Sequence, residues 1–269
     1  MLNQVRRMER CISSISSGLS QIAHDGFAVI GEVFQASEVE QIQAELCRAL
    51  SRPKAAVIQR EGVVVGARNL LQIWPAVADI WRRQPLLAFL TEVLGPQVGL
   101  VRALYFNKPP AQTWCLPWHK DLTIAVRDNW RPSSEFRNPT AKAGVPHVEA
   151  PRALLESMLT ARIHLDEITD ANGPMTVIPG SHLTGKAMAI DEASARKIVS
   201  RCGDVLLIRP LVAHNSLCSQ PGNQDQRRIL HLEFAARREL PDGYEWHDFV
   251  SARDSLPGHL APVSALPLV

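Results

Sequence analysis

Three observations predict a mainly β fold with packed helices. Several short apolar or alternating runs, bounded by Gly, Pro, Asn and Asp, follow Val98, and such runs are typical of a barrel or a sandwich. The first hundred residues instead show helical periodicity. The 269 residues are 46% hydrophobic and 21% charged, the balance of an ordinary globular protein. We therefore expect a single domain, 1–269, with a helical part at about 1–96, a barrel at about 97–238 and a tail at 239–269.

Capping and stop signals define the N-terminal elements. Gly26 marks the end of a first amphipathic helix, because glycine readily adopts the left-handed turn that ends helices. Glu38 provides an acidic first turn for a second helix, and a proline at the first helical position suits two more. The predicted elements are a helix at Ile12–Ala23, a strand at Phe27–Ile30, and helices at Ser37–Ser51, Pro75–Arg83 and Pro85–Leu94.

The second part of the chain predicts strands separated by turns. A polar stretch, Asn129–Val145, contains several prolines and a glycine, and we interpret it as a long mobile loop that covers a binding site. The tail Pro257–Val269 is rich in proline. The predicted strands are Val98–Phe106, Ala161–Leu165, Met175–Ile178, Val205–Ile208 and Ile229–Ala235.

Composition excludes several classes of protein. The formal charge is +2 and the basic residues are scattered, so we expect no nucleic-acid partner. No apolar run approaches the ~18 residues of a membrane helix. The first 20 residues lack the apolar segment of a secretory signal, so we expect a cytoplasmic protein. Five cysteines without a CxxC pair predict free, mostly buried thiols.

A candidate metal site begins at His119-Lys120-Asp121. Residues i and i+2 of a strand project to the same face, so His119 and Asp121 can approach one metal ion. His214, just after the strand at Val205–Ile208, is the best candidate for a third ligand. Two histidines and one carboxylate are the ligands of non-haem Fe(II) oxygenases. Spacing alone is a weak signal, because H-x-D is often found by chance.

Five separated segments carry a resemblance to a known family. They are a DGF strand at Asp25–Ile30, a KPP segment at Phe106–Pro110 followed by PWHxD at Pro117–Asp121, an NGP…PGSH segment at Asn172–His182, His214–Ser216, and Arg227–Phe234. In this order they resemble the phytanoyl-CoA dioxygenase family of Fe(II)- and 2-oxoglutarate-dependent oxygenases, over roughly residues 21–235.

The resemblance implies a double-stranded β-helix, a jelly-roll, cupin-like barrel with helices packed on one side. It implies Fe(II) held by His119, Asp121 and His214, with 2-oxoglutarate as cosubstrate. The far carboxylate of 2-oxoglutarate needs a cation, and an arginine suits it because guanidinium pairs with carboxylate through two hydrogen bonds. Arg227 is the predicted anchor, assisted by the Ser216 hydroxyl and by Lys108.

The choice between Arg227 and Arg228 stays open in the sequence. The gap from His214 to Arg227 is longer than the family pattern, which leaves the register uncertain by one residue. Strand alternation places Arg227, Ile229, His231 and Glu233 on one face, and this polar face is the expected barrel interior. Lys120 points away from the metal face. It could contact an anionic substrate or be solvated, and we expect it to be solvated.

The implied activity is hydroxylation of an unactivated C–H bond of a small molecule by O2, with release of succinate and CO2. An acidic residue at Asp121 disfavours a halogenase of this family. Three alternatives remain: desaturation, epoxidation or cyclisation at the same site; a non-catalytic jelly-roll binding protein; and a cupin-like metalloenzyme without cosubstrate. We expect a monomer or a homodimer, and the sequence does not identify the substrate.

Overall fold

A computed structural model describes residues 16–52, 54–110 and 112–254. The start of the first predicted helix and the tail Pro257–Val269 lie outside the described residues. Among those residues, no helix has both the length and the apolar character that crossing a membrane requires. The helices are α1 (described from 16 to 24), α2 (Ala36–Leu50), α3 (Leu70–Ile73), α4 (Val77–Ile80), α5 (Leu86–Leu94) and α6 (Arg152–Glu156).

Strands form most of the remaining regular structure. They are β1 (Phe27–Ile30), β2 (Val57–Arg60), β3 (Val63–Ala67), β4 (Gly99–Lys108), β5 (Leu116–His119), β6 (Thr123–Ala125), β7 (Arg137–Lys142), β8 (Val145–Glu149), β9 (Met158–His164), β10 (Met175–Val177), β11 (Arg196–Ile198), β12 (Val205–Ile208), β13 (His214–Ser216), β14 (Arg227–Ala235) and β15 (Val250–Ser251).

These strands pair in three antiparallel sheets. The large sheet has the order β1-β12-β9-β14-β4-β3-β2, with β15 also paired to β4. The small sheet has the order β11-β10-β13-β5, and the third has the order β6-β8-β7. The predicted mainly β class is confirmed. The strand predicted at Phe27–Ile30 is present as β1. The first part of the chain is nevertheless less helical than expected, because β2 and β3 were not predicted and also belong to the large sheet.

Helices α2 and α5 cover the large sheet. Val39, Ile42 and Leu46 on α2 share one buried face, because residues three and four apart lie on the same side of a helix. They join Phe89 of α5 and Leu232 of β14 in the main hydrophobic core. The other face of the large sheet is therefore left for polar residues.

Two predicted segments differ from the structure. The helix expected at Pro75–Arg83 is reduced to the four residues of α4. The loop expected at Asn129–Val145 contains β7, which pairs with β8. Ala143 and Gly144 connect these strands with φ of 51° and 79°, and positive φ at both positions is what a tight two-residue hairpin requires.

The expectation of free, mostly buried cysteines is wrong. Cys115 and Cys218 form a disulfide with a Cα–Cα distance of 4.7 Å. Cys47 and Cys202 are free, but both are exposed. The disulfide joins the residue before β5 to the segment after β13. It therefore closes one end of the pair of strands that carries the two candidate histidine ligands.

Candidate metal and cosubstrate site

The two histidines face each other across neighbouring strands. His119 of β5 is the direct register partner of His214 of β13, and their ring centroids are 4.2 Å apart. The Nδ1–H of His119 donates to the Pro117 carbonyl (2.8 Å), and that of His214 donates to the Val212 carbonyl (2.9 Å). A carbonyl can only accept, so both Nε2 atoms keep a lone pair for a metal.

Asp121 completes the group. Its Oδ1 lies 4.0 Å from His119 Nε2, and its Oδ2 lies 3.7 Å from His214 Nε2. One ligand atom from each residue lies within 4.8 Å of the others. Burial lowers the pKa of His214 to about 4, although Asp121 opposes this shift. At neutral pH His214 is thus an uncharged imidazole, the form that binds metals.

Lys120 fixes the position of the turn that carries the candidate ligand Asp121. Strand β5 ends at His119, so Asp121 is placed by the turn that follows and not by strand alternation. The Lys120 ammonium is buried and donates to the Ser181 carbonyl (2.8 Å), Thr184 Oγ1 (3.0 Å) and the Gly185 carbonyl (2.7 Å). The expectation of a solvated Lys120 is therefore wrong, because three acceptors replace its water.

Arg227 is a buried cation whose charge no nearby group balances. It is 1% exposed, its Nη2 donates to Ser216 Oγ (3.3 Å), and its Nε has no hydrogen-bond partner. Within the described residues, no carboxylate pairs with it. Burial, together with the charge of Arg162, lowers the pKa of Arg227 to about 9. An unpaired buried guanidinium is costly, so this position suits an anionic ligand.

Arg228 lies on the opposite face of β14. Its Nε and Nη2 donate to the two oxygens of Asp166, at 2.9 and 2.6 Å. These hydrogen bonds raise the pKa of Arg228. Arg228 is therefore already committed to a carboxylate of the protein, whereas Arg227 has none.

Lys108 positions the Ser216 hydroxyl. Its Nζ donates to Ser216 Oγ (2.9 Å), to the Gly173 carbonyl (3.2 Å) and to the Leu217 carbonyl. Burial, with the charges of Arg227 and Arg162, lowers its pKa to about 6. Lys108 therefore contacts the predicted cosubstrate position only through Ser216.

The site opens into a cavity of about 200 Å³ between the three sheets. Its walls include several residues that the sequence reasoning missed. Alternation along β4 could have identified three of them, Arg102, Leu104 and Phe106, because every second residue from Arg102 faces inward. The walls are formed by Arg68, Arg102, Leu104, Phe106, Trp114, Leu116, His119, Asp121, Thr123, Lys142, Arg162, Met175, His214, Ser216, His231 and Glu233.

Comparison with known families identifies the chain's relatives. The model of the family described as "Phytanoyl-CoA dioxygenase (PhyH)" matches residues 22–220, well over half of the chain. The chain belongs to this family. The family predicted from the sequence motifs is thereby confirmed, and all three candidate metal ligands lie within the matched residues.

Curated proteins similar to the chain include ectoine dioxygenases. One from Streptomyces anulatus is 25% identical over 167 residues, which are 60% of this chain and 49% of the relative. One from Bordetella parapertussis is 24% identical over 166 residues, 59% of this chain and 46% of the relative. The chain spans about half the length of the curated relatives it matches.

Solved structures of other proteins share the fold. EctD from S. alaskensis, solved with 2-oxoglutarate and 5-hydroxyectoine, superposes with a TM-score of 0.61 at 18% identity, covering 80% of this chain and 74% of EctD. HygX from Streptomyces hygroscopicus, solved with nickel and 2-oxoglutarate, superposes with a TM-score of 0.55 at 20% identity. The match covers 81% of this chain and 85% of HygX. The fold shared with these structures therefore extends over most of the chain.

Proposed function

We propose that the chain is an Fe(II)- and 2-oxoglutarate-dependent dioxygenase that hydroxylates an unactivated C–H bond of a small molecule, with release of succinate and CO2. One observation carries the proposal most directly. The ligand atoms of His119, Asp121 and His214 converge within 4.8 Å, in a cavity next to the unpaired buried cation of Arg227.

The donor atoms fit the proposed groups. Two neutral imidazoles and one carboxylate suit Fe(II) and leave coordination positions free for other ligands. The guanidinium of Arg227 and the hydroxyl of Ser216 suit the far carboxylate of 2-oxoglutarate. When bound, iron and 2-oxoglutarate supply the oxidising chemistry that activates O2 and converts the keto acid to succinate and CO2.

The protein's own residues bind and orient the metal and the cosubstrate. His119, Asp121 and His214 hold the metal, and the carbonyls that accept from both Nδ1 atoms fix the imidazole orientations. Arg227 and Ser216 hold the carboxylate end of the cosubstrate, and Lys108 keeps the Ser216 hydroxyl in place. The cavity, closed on several sides by the three sheets, limits the access of water to the reacting carbon.

An anaerobic optical titration tests this function. We expect Fe(II) followed by 2-oxoglutarate to produce a visible charge-transfer band, because the keto acid chelates ferrous iron through two oxygens. The band is absent in His119→Ala and retained in His24→Ala, which removes an exposed histidine that is not part of the cavity wall. Absence of the band in folded wild-type protein would contradict the proposal and favour a non-catalytic binding protein or another metal.

Turnover is tested with O2 and a small-molecule panel that begins with ectoine, the substrate class named for the curated relatives. Succinate formed in proportion to a product containing one added oxygen supports hydroxylation. Succinate formed with a product that has lost two hydrogens supports desaturation or cyclisation at the same residues. Product formation without succinate contradicts the use of 2-oxoglutarate.

Asp121→Ala separates metal binding from folding. We expect Fe(II) affinity to fall at least about tenfold and oxidation to fall with it, because one of three ligands is lost. Asp170→Ala, which removes an exposed carboxylate, is the matched control. Unchanged Fe(II) affinity in Asp121→Ala, measured by anaerobic equilibrium dialysis, would show that this carboxylate is not a ligand.

A further inference from the structure

Four cations line the cavity beyond the candidate metal ligands: Arg162, which interacts with Asp121, and a group of three, Arg68, Arg102 and Lys142. Arg68 follows β3, Arg102 lies on β4 and Lys142 ends β7, so they come from two different sheets and meet at one cavity wall. Burial lowers the pKa of Arg68, and the charge of Arg102 lowers it further. The same two causes lower the pKa of Lys142. The three charges are therefore close enough to repel one another.

The protein balances only one of these charges. Arg102 Nη1 donates to Glu233 Oε1 at 3.1 Å, and both side chains are about nine-tenths buried. Lys142 Nζ donates to a neutral group, Thr123 Oγ1, at 2.7 Å. Within the described ranges, the Arg68 guanidinium has neither a hydrogen bond nor an ion pair. Glu233 is thus one carboxylate facing three cations.

Neighbouring groups do not supply the missing negative charge. The other carboxylate of the cavity wall, Asp121, lies with the candidate metal ligands. His231 contacts Glu233 (3.3 Å) and adds no negative charge. Burial, followed by the charge of Arg102, lowers the pKa of His147 to about 4, so this histidine is neutral at physiological pH. Two positive charges remain without a counter-charge.

We propose that the substrate of this site is a small organic acid whose carboxylate binds between Arg68, Arg102 and Lys142. The inference rests on the proposed function and specifies its substrate class. Clustered cations in a partly enclosed cavity raise the local concentration of anions. The planar fork of Arg68 fits a carboxylate with two hydrogen bonds.

Apolar residues of the same cavity suit the rest of the ligand. Leu104, Phe106, Trp114, Leu116 and Met175 present apolar surface to the same cavity. A carbon skeleton packed there would lie beside the metal ligands while its carboxylate contacts the cations. The volume of about 200 Å³ is below the usual range of ligand pockets. It therefore favours a compact acid over a long thioester such as an acyl-CoA.

Binding of matched probes tests the substrate class without turnover. The protein is loaded anaerobically with Fe(II) and 2-oxoglutarate, so that Arg227 is occupied. It is then titrated in a calorimeter with hexanoate, cyclohexanecarboxylate and benzoate, and with the three corresponding carboxamides. We expect at least one carboxylate to bind about tenfold or more tightly than its amide. Equal binding, or no carboxylate binding at about 10 mM, would overturn the proposal.

Charge-removing variants locate the carboxylate. Arg68→Gln and Lys142→Met should each reduce the preference for carboxylate over amide about tenfold, whereas Arg60→Gln, an exposed arginine on the neighbouring β2, should leave it unchanged. Arg102 is unsuitable, because its removal leaves Glu233 buried without a partner. A preference that persists in both variants would overturn the assignment of these residues.

The optical band distinguishes failure of this inference from failure of the function. A band with Fe(II) and 2-oxoglutarate, combined with no preference for carboxylates, overturns only the substrate class. Absence of the band overturns the oxygenase itself. Preferential binding of hexylphosphonate over hexanoate would also overturn the proposal, because it would indicate a phosphate ester instead of a carboxylic acid.

Discussion

Replacing Arg227 by methionine should weaken cosubstrate binding without loss of stability. Replacing Arg228 by methionine should reduce stability with little effect on cosubstrate binding. Arg227 is 1% exposed, with its Nε unpaired. Arg228 makes two hydrogen bonds to Asp166. Arg227→Met therefore removes a charge that is not balanced in the absence of ligand. Arg228→Met removes a cation that already has a partner.

The expected magnitudes follow from the hydrogen bonds that each substitution removes. In Arg227→Met, the far carboxylate of 2-oxoglutarate loses two charge-assisted hydrogen bonds, each worth about 1.5–3 kcal/mol. The affinity for 2-oxoglutarate should fall at least about 100-fold, while the unfolding free energy of the metal-free protein stays constant or increases. Arg228→Met should cost about 1–2 kcal/mol, since the pair with Asp166 is partly exposed, with little change in affinity.

Two measurements compare the variants. Anaerobic titration of the Fe(II)-loaded proteins with 2-oxoglutarate gives the affinity, and urea denaturation of the metal-free proteins gives the unfolding free energy. Weaker 2-oxoglutarate binding in Arg228→Met but not in Arg227→Met would refute the assignment of the anchor. Loss of stability in Arg227→Met with intact affinity would refute it as well, because Arg227 would then be a structural residue.

Three further predictions concern Lys120, two buried histidines and the disulfide. Lys120→Met should lower the unfolding free energy measured by urea denaturation by about 2–4 kcal/mol, because three acceptors lose their donor. The affinity for Fe(II) should also fall. A change in unfolding free energy below about 0.5 kcal/mol would contradict the assigned contacts. Burial lowers the pKa of His164 to about 3 and of His214 to about 4, from 6.5. Each of these buried neutral histidines contributes its full stabilisation to the metal-free protein above pH 6.5. This contribution is lost as the pH falls, by up to about 1.4 kcal/mol per pH unit for each histidine. If the unfolding free energy depends on pH in the same way in His164→Asn, the predicted contribution of His164 is wrong. The Cys115–Cys218 disulfide takes up two of the five cysteines, so thiol titration of the unreduced, unfolded chain should find at most three thiols, and five would exclude the bond.

Much of the fold was predictable because its core elements have regular apolar patterns. The five strands predicted after Val98 overlap β4, β9, β10, β12 and β14, and two predicted helices match α2 and α5. The hairpin of β7 and β8 was missed because β7 is almost entirely exposed, so it shows no apolar alternation. Its turn, Ala143-Gly144, also lacks the Asn-Gly or Asp-Gly pair that marks most such hairpins.

The candidate site was predictable where residues near each other in sequence share a motif. His119 and Asp121 were found from their spacing, and His214 from its place after a strand. The roles of these ligands, of Arg227, Ser216 and Lys108, remain predictions that the experiments above test. The buried contacts of Lys120 could not be predicted, because its acceptors lie about 60 residues later and depend on how two segments pack.

The short strand β13 has a consequence for cosubstrate chain length. It carries His214 and Ser216 on the same face, and two residues along an antiparallel strand span about 6.8 Å. The backbone therefore sets the distance between the candidate metal ligand His214 and the Ser216 hydroxyl that is proposed to bind the far carboxylate. A five-carbon keto diacid can contact both ends at once, whereas oxaloacetate, one methylene shorter, would have to release one of them. Discrimination between the two acids would then be set by main-chain geometry and would survive most changes in the cavity wall.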